Sequence, residues 1–519
     1  MKSLRSPFLH LLLFACLPVI TLYGHNIREV EFLGVIRPLI ASIVFIFFIF
    51  LIALLIFRKR DASAIVASLI AILFFSYGHL QTGLLLSKSI LVQLGRNWVL
   101  VPVYLLIFIF VILAVIKKWV ELRFLTQLFN IVAMTLIIFP FIQMIGYLSI
   151  SVRNSLQRDL PSVGNGAVVQ SQNKPDIYYI VLDSYTRQDE LLNLYGFDNS
   201  PFITDLKDLG FYIADCSFTN YPYTSGSMAA TLNMDYLYNI ADEPADSGDQ
   251  DALYRLIQKN RVREILKSQG YKIVAFNTGI TSNWLNWDDA DVYFYDPMQY
   301  LTDPYLYPFE SLFLDTTILR LPIRHDFINI PSNGEVSKSS EILLIARNDQ
   351  ELLSNLTSTT KIQGPKFVYF HILIPHEPFI FLPDGSIDIK NYVDENTGVM
   401  RAGVDREEGF VNNTQFINVQ MLRIIGDIIG RSDPDPIIIL QGDHAFSREN
   451  RYPILNAFFF PDRNYSKLYK TITPVNSFRL LFDHFFGMEL PLLPDRSMWN
   501  KNNLPYSPRI REDLLPVCK

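Results

Sequence analysis

The sequence predicts a two-part fold: a five-helix transmembrane bundle followed by an α/β domain whose central, mostly parallel sheet is flanked by helices. Three observations carry this expectation. Polarity is uneven about residue 150, five long apolar runs precede that point, and short β-branched and aromatic runs alternate with helical segments beyond 175. At 519 residues the chain is also too long for one ordinary domain.

The first 150 residues hold four acids (Glu29, Glu31, Asp61, Glu121) against twelve Lys and Arg, a balance of +8 that leaves −14 for the rest of a chain at −6. So acidic a remainder excludes a nucleic-acid partner, which needs a basic face to release counterions from phosphates.

A helix needs about 20 apolar residues to cross the hydrocarbon core, because each residue rises about 1.5 Å and unpaired backbone groups are costly in lipid. Runs at 7–23, 38–57, 62–78, 98–116 and 124–148 qualify. The second and fourth carry no charge; the first, with His10 and Pro18, is the weakest. Cys16 lies inside that first run and reads as a helix residue, because Phe14 and four further apolar runs argue against a lipoprotein cleavage site.

Orientation follows the basic residues in the short loops. Lys2, Arg5, Arg58, Lys59, Arg60, Lys117, Lys118 and Arg123 lie on one side, against Arg28, Arg37, Lys88 and Arg96 on the other. With the eight-charge side inside, five spans deliver everything after 150 to the outside of the cytoplasmic membrane. The expected domains are 1–150 transmembrane, 151–174 a polar linker, 175–495 the α/β domain, and 496–519 a C-terminal tail. Of three cysteines, Cys216 and Cys518 are the two that an oxidising compartment could pair, though their spacing gives no support for a bridge.

In the second part, strands are expected at 177–182, 271–276, 366–372, 437–440 and 454–459. Ligands gather at the carboxyl ends of strands in such sheets. Asp183 follows the first strand, and Asp443 and His444 follow a later one in Gln441-Gly-Asp-His. Carboxylates with an imidazole suit Zn²⁺, Mn²⁺ or a similar divalent ion, although an Asp closing a strand is by itself more often a turn or cap.

Four segments add specificity in combination: Tyr179-Ile-Val-Leu-Asp183, Asn220-Tyr-Pro-Tyr-Thr224-Ser-Gly-Ser, Pro375-His376-Glu-Pro-Phe and Gln441-Gly-Asp443-His444. With Arg451-Tyr-Pro-Ile and Ser477-Phe-Arg-Leu they resemble, in order, the sulfatase-like branch of the alkaline phosphatase superfamily, which includes lipoteichoic acid synthases and lipid A phosphoethanolamine transferases. The resemblance runs from about Pro175 to Asp495. It implies an alkaline phosphatase-like domain, a nucleophile at Thr224 with Ser225 and Ser227 as rivals, and one divalent metal (Mn, Zn, Mg or Ca) held by Asp183, Thr224, Asp443 and His444. It also implies that His376 contacts phosphoryl or sulfuryl oxygens. Arg451 is a candidate to neutralise one of them through its planar fork. His371 and His376 are candidates for a second metal, but His371 is expected within the sheet and outside the ligand set; His325 and His484 are expected to be structural.

Three departures matter. Thr224-Ser-Gly-Ser-Met228 has no Cys, Pro or Arg at the positions the formylglycine motif needs, Ser184 stands where sulfatases commonly carry a second Asp, and Ala445 stands where Gly is usual. The expected activity is transfer or hydrolysis of a phosphoryl-linked group, such as a lipid head group, through a covalent threonine outside the membrane. Phospholipids or phosphate and sulfate esters are the expected substrates, with an envelope glycan or lipid as acceptor. The alternatives are a sulfuric ester hydrolase of the same fold and a catalytically silent envelope-binding ectodomain. A transporter is disfavoured, because the spans carry no intramembrane acid or base to mark an ion path.

Overall fold

The computed structural model describes residues 6–27, 30–87, 90–119, 121–156, 174–241, 243–244, 247–278, 283–296, 298–302, 306–321, 333–387, 406–447, 450–500, 504–506 and 508–511. Lys2, Arg5, Arg28, Lys88, His325, Cys518 and most of the expected linker lie outside these residues. The chain forms two compact units, the first comprising 1–158, 296–341 and 393–399 and the second the remainder.

In the first unit, helices α1 (Pro7–His25), α2 (Ile36–Phe57), α3 (Arg60–Leu85), α4 (Asn97–Ile116) and α5 (Leu122–Leu156) follow the five apolar runs. Each contains a stretch long and apolar enough to cross a membrane. The polar residue of the weakest run is built into the bundle. His10 is fully buried, its Nδ1 is 2.7 Å from Ser68 Oγ of α3, and its backbone N–H donates to Asn130 Oδ1 of α5 at 2.8 Å. Such bonds tie helices together where no hydrophobic driving force does.

Residues 296–341, within the stretch expected as the α/β domain, belong to this first unit. The helix Pro308–Thr316 inserts Phe309 and Phe313 among the side chains of α1, α2 and α3. Its Glu310 pairs with Arg37 at 3.1 Å and accepts the Tyr307 N–H. Gly78 permits the close crossing, since a Cβ there would lie 2.2 Å from Asp315 O.

The second unit is built on a seven-stranded sheet of order β2-β7-β6-β1-β5-β3-β4. Its strands are β1 (Ile177–Leu182), β2 (Tyr212–Ile213), β3 (Lys272–Phe276), β4 (Val292–Phe294), β5 (Lys366–Ile372), β6 (Ile437–Gly442) and β7 (Asn456–Phe459). Pairing is parallel throughout except where β7 meets β6 and β2. The five expected strands are present, and β2 and β4 are additional. β1, β5 and β6 are buried along their whole length, as their mostly apolar runs require in a sheet covered on both faces.

One face carries Tyr179, Val181, Phe367, Tyr369, Ile437 and Ile439, packed against Met228 of helix Thr224–Asn233 and Phe478 of helix Pro474–Phe486. Within the expected tail, β8 (Met498–Asn500) and β9 (Pro508–Ile510) form an antiparallel pair. Cys216 is disulfide-bonded and Cys16 is free.

Candidate metal centre

Strand register brings the candidate residues together. β1 lies between β5 and β6, with Val181 opposite both His371 and Gln441 and Leu182 opposite both Ile372 and Gly442. Side chains alternate along a strand, so His371 shares a face with Val181, and Asp183 and Asp443, two residues beyond Val181 and Gln441, continue that face. One ligand atom each from Asp183, His371 and Asp443 lie within 4.8 Å of one another, and all three residues are buried.

His444 closes the group from the following turn. Its Nε2 is 3.7 Å from Asp183 Oδ1, 3.6 Å from Asp443 Oδ2 and 3.3 Å from Thr224 Oγ1. Thr224 is the first residue of its helix, at the end where backbone N–H groups favour an anion. The two rival hydroxyls are engaged elsewhere: Ser225 Oγ with Gln250 Oε1 at 3.0 Å and Ser227 Oγ with Thr219 Oγ1 at 3.0 Å.

His376 and Arg451 border this group. The His376 N–H donates to Asp183 O at 3.2 Å, and its ring centroid lies 6.3 Å from that of His444. Arg451 Nη2 is 2.8 Å from His444 Nε2. The same Nη2 is 3.1 Å from His444 Nδ1, so the guanidinium lies against both ring nitrogens and the tautomer is set by their other neighbours. Nδ1 faces the Ala445 carbonyl at 3.2 Å and therefore carries the proton.

The loop that delivers Thr224 is held by the chain's far end. Asn220 donates to Arg496 O at 2.9 Å, its carbonyl accepts the Met498 N–H at 2.8 Å, and its Oδ1 accepts the Val475 N–H at 2.9 Å. Tyr236 donates to Pro494 O and accepts the Arg496 N–H.

Electrostatics suit a cation. Burial raises the Asp183 pKa, but the imidazole of His371 beside it and the charges of His376 and His444 outweigh that, holding the carboxyl well below the usual range. Burial, with Arg451 and His376 nearby, lowers the His444 pKa against the pull of Asp443 and Asp183. Among the described residues Asp443 Oδ2 and His371 Nε2 are buried without a hydrogen-bond partner, and the 3.6 Å from His371 Nε2 to Asp183 Oδ2 is too long for one. Unpaired buried polar atoms cost about 1–3 kcal/mol each. One cation among them would satisfy both, and carboxylates with imidazoles fit a divalent ion.

His371 thus stands with the group from which sequence reasoning left it out. It does lie in the sheet, as expected, and strand parity was the signal that could have placed it. His484 lies apart, paired with Asp462 at 2.6 Å.

Among solved structures, the chain is similar to the C-terminal periplasmic domain of EptC from Escherichia coli in complex with Zn, at 14% identity and a TM-score of 0.40, covering 62% of this chain and 85% of that one. It is similar to the integral membrane lipooligosaccharide phosphoethanolamine transferase A (EptA) from Neisseria meningitidis, at 12% identity and 0.33, covering 90% of each. A third likeness is to the phosphonate monoester hydrolase of Agrobacterium radiobacter, at 14% identity and 0.35, covering 63% and 80%. No family profile matches the chain, and no curated protein matches it in sequence.

Proposed function

We propose that the protein is a multi-pass membrane enzyme that transfers or hydrolyses a phosphoryl-linked group, such as a lipid head group, outside the cytoplasmic membrane through a covalent intermediate on Thr224. The observation that carries this reading is the meeting of a helix-terminal hydroxyl with buried carboxylates and imidazoles at the carboxyl ends of β1, β5 and β6. Asp183, Thr224, Asp443 and His444 would hold one divalent ion, and we add His371 as a further ligand. The eight-to-four division of basic residues supports the external location, as does the disulfide at Cys216, since disulfides persist in oxidising compartments.

When bound, the ion would supply a lowered hydroxyl pKa and charge to offset the phosphoryl oxygens. Thr224 Oγ1 forms a bond to phosphorus as the ester bond to the leaving alcohol breaks, and the threonine's proton leaves with that alcohol. His376 and Arg451 stabilise charge on the group in transfer. Water or an acceptor hydroxyl on a glycan or lipid then attacks the phosphothreonine and returns the threonine hydroxyl. The lack of Cys, Pro and Arg from 224 to 228 favours this route over formylglycine sulfatase chemistry.

Intact-mass measurement of the purified chain after exposure to phospholipids and phosphate esters tests the reading. A phosphorus-containing adduct is expected, absent from Thr224→Ala. An adduct that persists in Thr224→Ala would move the nucleophile elsewhere.

A further inference from the structure

Ser184 is the residue at the centre whose backbone is out of the ordinary. It is fully buried and has a φ of 65°, the left-handed region that a side chain enters at about 1–2 kcal/mol. That turn, directly after β1, aims its N–H back towards the neighbouring strand, where it donates to Asp443 Oδ1 at 2.9 Å. Glycine would make the same turn without the conformational cost. The hydroxyl is what glycine lacks.

The position of that hydroxyl is specific. Ser184 Oγ lies 3.1 Å from Asp183 Oδ1 and 3.2 Å from His444 Nδ1. Nδ1 carries the ring proton, so it donates to Ser184 Oγ as well as to the Ala445 carbonyl. The single hydroxyl proton is then free to be donated to the Asp183 carboxylate. Only one assignment of donors satisfies all three groups: His444 Nδ1–H to Ser184 Oγ–H to Asp183 Oδ1. It fixes the tautomer of His444, keeps the proton off Nε2, which lies 3.6 Å from Asp443 Oδ2 and 3.3 Å from Thr224 Oγ1, and ties the two elements that carry Asp183 and His444.

We infer that Ser184 is a positioning residue whose hydroxyl relays a hydrogen bond between His444 and Asp183, holding both in ligating geometry, while its left-handed backbone aims a third bond at Asp443. This rests on the metal centre proposed above. Partners of metal ligands typically contribute 10–100-fold to affinity.

The test compares Ser184→Gly, Ser184→Thr and the parent, as full-length protein in detergent, by calorimetric titration with Zn²⁺ alone and by thermal unfolding of the metal-free protein. Ser184→Gly keeps the turn and the amide donor but loses the relay. It is expected to unfold no lower than the parent and to bind Zn²⁺ about 10–100-fold more weakly. Ser184→Thr regains a hydroxyl on a β-branched side chain that the turn disfavours. It should unfold at lower temperature yet bind Zn²⁺ more tightly than Ser184→Gly. Affinity and stability thus order the variants oppositely, which a purely structural serine would not do. Parent-like Zn²⁺ binding by Ser184→Gly, or affinities that follow unfolding temperature across the set, would overturn the inference. Asp443→Ala separates the two levels. If it too binds Zn²⁺ like the parent, the metal centre itself is wrong and the relay falls with it; if it loses Zn²⁺ while Ser184→Gly keeps it, only the relay fails.

Discussion

Asp443 and His444 leave the end of β6 in a turn stabilised by the bond from the His444 N–H to Asp443 Oδ1 at 2.8 Å. Replacing either side chain with Ala opens the centre without cutting the sheet. Elemental analysis is expected to show both variants losing stoichiometric metal, and assays to show activity lost with it, while circular dichroism stays parent-like. Metal retained at full occupancy in both would place the site elsewhere. Thr224→Ala should abolish turnover, whereas Thr224→Ser, which offers the same oxygen without the methyl group that restricts its rotamer, should keep a measurable part. Equal turnover in Thr224→Ala and the parent would remove the nucleophile assignment. Of the residues gathered here, Asp183, Asp443 and His444 were legible because each follows an expected strand, and Thr224 through the resemblance of the segment around it. His371 was not, because it sits inside the run Lys366–Ile372 and only strand register shows which neighbours it faces. The donor arrangement around Ser184 was equally hidden, since sequence carries no sign of a positive φ on serine.

At the scale of elements, the helix Asn333–Ser358 buries Asp349, and burial pushes its carboxyl up to about 8. The unfolded chain releases this proton near pH 4, so between about pH 4 and about 8 the folded state binds more protons and stability falls as pH rises. The contribution is fully present below pH 4 and lost as pH rises through about 8. Asp349→Asn should flatten that slope in thermal unfolding and stabilise the protein at pH 8 by about 2 kcal/mol or more; an unchanged pH profile would show that another group governs it. A second expectation concerns the crossing at Gly78. Gly78→Val forces a side chain into the backbone at Asp315 and Thr316, and should lower stability by about 1–3 kcal/mol and expose 308–316 to protease. Protease resistance like the parent's would mean the crossing adapts. The long strands were readable from their β-branched runs, whereas β2 and β4, of two and three residues, are too short to show a period. Nor does the amphipathic pattern of 308–316 say which core it joins.

For the whole molecule, the five apolar helices and the division of basic residues lead to one topology. A reporter fused after residue 174 should be active outside the cytoplasmic membrane, and one fused after Arg60 should be active inside. Both reporters on one side would refute the odd number of spans.

The bonds between Asn220 and the 494–498 stretch have a consequence for synthesis. Asn220 and Arg496 are 276 positions apart, and domains assemble as the chain emerges from its amino end. The threonine's loop therefore completes its support only once residues 494–498 have been made, although the Val475 bond forms earlier. Protein cut short before Pro494 would carry every residue of the centre and still lack the clasp that sets Thr224 at its helix start. Such a truncated chain is therefore expected to keep its sheet yet form no adduct on Thr224.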